Sequence, residues 1–265
     1  STAKKRRQPV YLVFIHIFFV LLSLMYILPM LLVVSASFTS ERVLVTGGFG
    51  LIPKEFTLEA YRIAFKNPTQ VLRAYGVTIA QAFLGTFLTT LLMGLAAYPL
   101  SRSNFRFKKP VTSYIFFTML FSGGMVPTFL VVKDLGLMDS VWAIVLPGAM
   151  SAWNMFIVKN YYMTSIPREL IEAADVDGAS DIRAYLSIVT PLSAPIVAVM
   201  VLYYGVGHWN AYFDALLYLR DKARYPLQLV IRTFFTASDY AEQGGGSGDT
   251  AMLLINETMK YALIV

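Results

Sequence analysis

The chain has 265 residues, 57% of them hydrophobic and only 14% charged, which is more apolar surface than one soluble core of this length can hide. Its net charge of +6 gathers at the ends of apolar runs, a pattern of headgroup contact that argues against a nucleic-acid partner. With no cysteine, disulfides and thiolate metal sites are excluded. The class this predicts is an all-α, polytopic membrane bundle in a single domain covering residues 1–265.

A basic, acid-free tail (Lys4, Lys5, Arg6, Arg7) precedes an apolar run over residues 10–34. The run exceeds the ~20 residues a spanning helix needs and outlasts a signal-peptide core, so Val34-Ser35-Ala36 reads as the end of an uncleaved anchor and not as a processing site. The tail is expected on the cytoplasmic side. Residues 38–71 turn polar, with Gly47, Gly48, Gly50 and Pro53 ahead of a short helix capped by Thr57, whose Leu58, Tyr61 and Phe65 share one face.

A second span is predicted over residues 71–100, where Gly85, Gly94, Ala96 and Ala97 let neighbouring helices approach. The short basic loop after it (Arg102, Arg106, Lys108, Lys109) belongs on the cytoplasmic side. The third span, residues 111–132, contains Ser122-Gly123-Gly124 and Pro127, where an ideal helix is not expected. Backbone freed there either packs against protein or lines a solute path. A fourth span over 141–162 contains Pro147-Gly148, Trp153 and Asn154.

Residues 165–195 form a charged island between apolar segments. Pro167 suits a first helical position, Glu169 complements the helix dipole, Gly178 permits a sharp turn, and Ser180 caps a second helix with Ile182, Leu186 and Val189 on one face. The expected form is helix, elbow, helix. Ala173 and Ala174 admit a close partner backbone, and Glu172 offers a carboxylate to a partner cation. The order Glu172-Ala173-Ala174, then Gly178, Ile188 and Pro191, resembles the EAA loop of ABC-importer permeases, with Thr190 where many relatives carry leucine. The resemblance implies a cytoplasmic coupling helix that seats in a cleft of an ATPase subunit, with Glu172, Ala173, Ala174, Asp177 and Gly178 as the coupling residues.

A fifth span over 192–217 ends in a polar, aromatic stretch containing Tyr204, His208, Trp209, Asn210, Tyr212 and Asp214. Aromatic faces stack on sugar C–H faces, while amides and carboxylates bond hydroxyls, so these six residues are candidates for a solute path. The other reading is an interfacial aromatic belt with Asn210 bridging helices, and a structural role for the lone His208. A polar segment with Arg220, Lys222, Arg224 and Arg232 follows, then a Gly244–Gly248 hinge. The last apolar run, 251–265, stops short of a full span and is read as a truncated sixth helix. No GxxxxGK[ST] phosphate loop is present, so the chain is expected to hold no cofactor of its own.

The stretches FSGGMVPTFLVVKDLGLMDSVWAIVLPG and YGVGHWNAYFDALLYLRDKARYPLQL, with the EAA loop, resemble the oligosaccharide branch of carbohydrate-importer permeases, which includes importers of uronate-containing fragments such as those of pectin or alginate. The resemblance implies a non-enzymatic subunit of the bacterial cytoplasmic (inner) membrane. Its implied partners are a second permease, two ATPase subunits that bind ATP and Mg, and an external solute-binding protein. Two other classes would leave different marks. A secondary transporter would place carboxylates inside its spans, which are almost free of them. A membrane glycosyltransferase would need an acidic cluster, for which Asp175, Asp177 and Asp181 offer weak material.

Overall fold

A computed structural model describes residues 10–40, 43–44, 48, 50–64 and 68–242. The basic tail, Phe65, the Gly244–Gly248 hinge and the sixth helix expected over 251–265 lie outside the described residues. Apart from an isolated bridge between Thr39 and Phe56, the described residues form helices and turns. The chain divides into two compact units, residues 72–230 and the residues on either side of them.

In the flanking unit, α1 (Val10–Ser37) runs unbroken through Pro29. It is apolar all round, and no residue from Tyr11 to Val34 is buried within the chain, as expected of a helix whose solvent is lipid. Polar packing begins where α1 ends. The Ser37 hydroxyl meets the Tyr61 hydroxyl at 2.9 Å, and the Phe38 ring stacks on Phe56 with centroids 5.3 Å apart. Thr57 caps α2 (Glu59–Ala64), its Oγ1 accepting from the Glu59 amide at 3.1 Å, as its sequence position predicts.

The central unit is built on α3 (Pro68–Ser101), whose 34 residues reach ~50 Å at 1.5 Å each, more than a bilayer core requires. Among the described residues α1 and α3 are the two helices long and apolar enough to cross a membrane on their own. The later segments are broken. Over the expected third span, α4 (Lys108–Leu120) and α5 (Met125–Asp134) meet at 116°. Pro127 cannot tolerate a helical carbonyl at Gly123, and Gly124 takes φ +84°, so the helix ends there. The fourth is divided into α6 (Val141–Val145) and α7 (Ala152–Ser165), the latter capped by the Ser151 hydroxyl. After α8 (Arg168–Val176), α9 (Asp181–Leu192) meets α10 (Ala194–Asn210) at 81°. The bend falls at Ser193, fully buried, whose hydroxyl donates to the Val189 carbonyl at 2.6 Å. Short α11 (Phe213–Tyr218) and α12 (Leu227–Glu242) complete the described chain.

Several buried clusters hold the central unit, one of them Val132, Ala143 and Tyr218. Met93, Ala97 and Leu100 of α3 pack with Met155 and Tyr162 of α7, Val189 of α9 and Met200 of α10. At the other end of α3, Ile144, Ala215, Leu219 and Leu229 form a smaller cluster. Thr78 marks that end, its hydroxyl accepting the Leu227 amide at 2.8 Å.

Candidate functional site

The elbow at 167–184 is made by backbone chemistry. Pro167 stands as the cap of α8, one residue before the first-turn position expected of it. At the far end the Gly178 amide donates to the Asp175 carbonyl at 3.2 Å and the Ala179 amide to the Ala174 carbonyl at 2.9 Å, with Gly178 at φ +76°. This is a Schellman ending, which requires a left-handed residue where the chain leaves the helix. Ser180 then caps α9, accepting from the Arg183 amide. Of the expected coupling residues, Glu172, Ala173, Asp177 and Gly178 are exposed, with Val176 beside them 87% exposed. Ala174 differs. It is buried with Ile171 against the chain's own helices, so the surface offered to a partner carries Ala173 without its neighbour.

The expected common face of Ile182, Leu186 and Val189 does not form. Ile182 and Leu186 are exposed, whereas Val189 is buried. The reason is a π-helical turn at Tyr185–Val189, whose extra residue per turn shifts Val189 to the inward face. Pro191 has no N–H to return to Ser187, and the Thr190 hydroxyl instead donates to the Tyr185 carbonyl at 2.9 Å.

Both helices of the elbow are fastened to the last turns of α3. Arg102 pairs with Asp175 of α8 at 2.9 Å and lies over the Tyr98 ring, 5.7 Å from its centroid. Tyr98 in turn packs on Tyr185 of α9 at 5.2 Å. Lys108 closes the α3 terminus by donating to the carbonyls of Ser101 and Arg102, at 3.4 and 3.0 Å. None of these anchoring residues is legible as such from the sequence. The basic loop signalled orientation, and Asp175 suggested an acidic cluster. Its bond to Arg102 gives that carboxylate a structural partner. With Arg102 mostly buried and Asp175 half exposed, the pair is worth on the order of 1 kcal/mol. Arg102→Glu is expected to lower transported solute per ATP hydrolysed several-fold, and Arg102→Asp with Asp175→Arg to restore much of it. An unrestored double variant would show that the charges do not act as a pair.

The aromatic stretch on α10 divides into two sets. Tyr204 and His208 are buried. The Tyr204 hydroxyl accepts from Asn154 Nδ2 at 2.8 Å, and the His208 carbonyl accepts from Gln81 Nε2 at 3.0 Å. The His208 ring fills the notch at Gly85, where a Cβ would come within 2.7 Å of it. These two residues join α10 to α7 and α3. Trp209 and Asn210 are exposed, the Asn210 amide donating to the Val206 carbonyl. Tyr212 and Asp214 are half-buried, with Tyr212 against the Ile144 cluster.

Between the third and fourth segments, Asp139 adopts φ +57° and its carboxylate accepts the amides of Arg220 and Asp221. Those two hydrogen bonds hold its carboxyl below the usual carboxylate range. Arg224 is engaged there too, donating to the Asp139 carbonyl and pairing with Asp221 at 3.7 Å. Arg220 and Lys222 form no ion pair within 4 Å among the described residues, although the Arg220 charge also bears on Asp139.

An all-helical membrane chain with an exposed elbow clamped to its longest helix has the form of a membrane permease component. Residues 90–255 match the family described as binding-protein-dependent transport system inner membrane component, and the chain belongs to that family. Its members are the non-enzymatic permeases of ABC importers, working with a further permease, an ATPase and a solute-binding protein. The chain is 42% identical to Protein LplC of Bacillus subtilis (strain 168) over 239 residues, 90% of this chain and 80% of that protein. It is 40% identical over 256 residues to the polygalacturonan/rhamnogalacturonan transport system permease protein YtcP of the same organism, covering 95% and 87%. A crystal structure of a bacterial ABC transporter involved in the import of the acidic polysaccharide alginate aligns with a TM-score of 0.84 at 27% identity, over 100% of this chain and 93% of that one.

Proposed function

We propose that this chain is the permease through which oligosaccharide, uronate-containing oligosaccharide in particular, enters a bacterium across its cytoplasmic membrane. The observation that carries the permease reading is the exposed elbow around Gly178, fastened through Arg102 and Tyr185 to the end of α3. A push on Glu172 and Ala173 therefore reaches two membrane segments at once. ATP is bound and hydrolysed on the partner subunit. The same bridge supports the orientation, because Arg102 joins the basic α3–α4 loop to the elbow. With the elbow cytoplasmic and two long helices, α1 and α3, before that loop, the N-terminus is cytoplasmic as well.

The acidic-sugar reading is supported by what two similar transporters carry, polygalacturonan/rhamnogalacturonan in one and alginate in the other. The residues add less than their number suggests, since Arg224 is committed to Asp139 and Asp221. Arg220 and Lys222 remain to attract an acidic solute, over the ~8 Å that physiological salt allows. Reconstituted with its partners, the transporter is expected to hydrolyse ATP several-fold faster with an oligogalacturonate than with maltotriose of equal length, the difference shrinking as salt rises. Equal or greater stimulation by maltotriose would end the acidic assignment while leaving the permease reading in place.

A further inference from the structure

The geometry points to a binding site for one ring of the transported sugar in the recess between α4 and α7, with Tyr114 and Trp153 as its aromatic walls. This rests on the oligosaccharide reading above and adds residues outside the aromatic stretch of α10. The recess measures about 370 Å³, within the range of small-molecule sites, and Thr118 and Ser151 contribute hydroxyls to its lining.

Its aromatic residues are poorly explained by packing. Tyr114 is 70% exposed and Trp153 63%, and among the described residues neither the phenol nor the indole N–H has a hydrogen-bond partner. Exposed Tyr and Trp on a membrane helix ordinarily mark the headgroup level. Here Tyr114 lies six residues past Lys108 on α4 and Trp153 six before Lys159 on α7, each on the side away from the basic loop and the elbow. At 1.5 Å per residue both rings sit ~9 Å inward of those cations, too deep for a free phenol or indole N–H to be satisfied by lipid.

The backbone beside the recess makes the same demand. Residues 121–124 separate α4 from α5, residues 146–151 separate α6 from α7, and Met150 and Ser151 of the second break themselves line the recess. The amides of Ser122, Gly123, Met150 and Ser151 have no backbone partner. Hydrocarbon cannot face such groups, so this side of the unit meets water, a polar protein surface or a hydroxyl-rich molecule. A pyranose suits both parts of the surface, its C–H face lying on the indole or phenol ring and its hydroxyls reaching Thr118, Ser151 and the open backbone.

The absence of native cysteine permits a direct test. Thr118→Cys, in the transporter assembled with its ATPase and binding protein in proteoliposomes, is treated with a charged methanethiosulfonate with and without oligogalacturonate trimer or maltotriose. Modification should proceed without sugar and slow several-fold with whichever sugar stimulates the unmodified transporter. Tyr114→Ala and Trp153→Ala should each raise the half-maximal sugar concentration for stimulation roughly tenfold, the worth of one aromatic contact, while Trp153→Phe keeps most of the response. A cysteine that never reacts, or reacts without protection, overturns the site, as do alanine variants with unchanged half-maximal concentrations. If neither sugar stimulates the unmodified transporter, the oligosaccharide reading itself fails and the site falls with it.

Discussion

Gly178→Val and Glu172→Lys are each expected to reduce ATP-driven transport at least tenfold while the chain still inserts in the membrane. A Cβ at Gly178 would meet nothing within 4 Å, so no clash is involved. The cost is conformational. At φ +76° an L-residue loses ~1–2 kcal/mol and a β-branched one more, enough to give up the Schellman ending and free α9 from its angle to α8. Gly178→Asn, which tolerates the left-handed region, should retain most transport, and this separates backbone geometry from the mere presence of a side chain. Glu172 acts differently. Its carboxylate is exposed on the outward side of α8, so charge reversal should weaken retention of the ATPase on purification, with Glu172→Gln intermediate. Uptake and ATPase retention at the level of the unsubstituted protein in both Gly178→Val and Glu172→Lys would remove the elbow from the coupling path.

The elbow was legible in the sequence because it rests on local rules. A glycine after a short helix and a serine before the next fix cap geometry without reference to the rest of the fold. Proline and glycine likewise foretold the break at 121–124, since Pro127 acts on a carbonyl four residues away. What pattern could not supply was direction. Ala173 and Ala174 are equally small, and the identity of the one that turns inward is set by how α8 lies on α7 and α9. Tyr204 and His208 resemble Trp209 and Asn210 in composition, yet a spacing of four puts the first two on the buried side with Met200. Val189 lies on the face opposite to its expected one because regular helical periodicity has no place for a π turn. The Arg102–Asp175 bridge joins residues 73 apart, and no local signal reports a contact of that kind.

Gly94→Ala is expected to damage both stability and coupling, and Tyr185→Phe in the same chain to recover a large part of each. Gly94 is the point on α3 where the Tyr185 phenol enters. An added Cβ would stand 2.3 Å from that oxygen and 3.5 Å from the Tyr162 oxygen. Something must shift, and the Tyr185 ring has little room, being buried and packed on Tyr98 at 5.2 Å. Overfilling of this kind costs ~1–3 kcal/mol, which corresponds to a thermal midpoint lower by about 2–4 °C per kcal/mol for a unit of this size. The functional loss should exceed what that destabilisation alone produces, because Tyr185 belongs to α9 and a displaced ring moves the elbow off its seat on α3. Removing the phenol oxygen removes the closest contact and leaves the aromatic stack, so Gly94→Ala with Tyr185→Phe should regain most of the midpoint and of the solute moved per ATP. Tyr185→Phe alone loses the hydrogen bond between the Tyr185 and Tyr162 side chains, about 1 kcal/mol, and should change either quantity less than Gly94→Ala does. Thermal unfolding of the purified subunit in detergent, together with uptake and ATP hydrolysis measured on the same proteoliposomes, decides the matter. A Gly94→Ala protein with an unaltered midpoint and unaltered coupling would show that α3 and α9 are not held together at this notch.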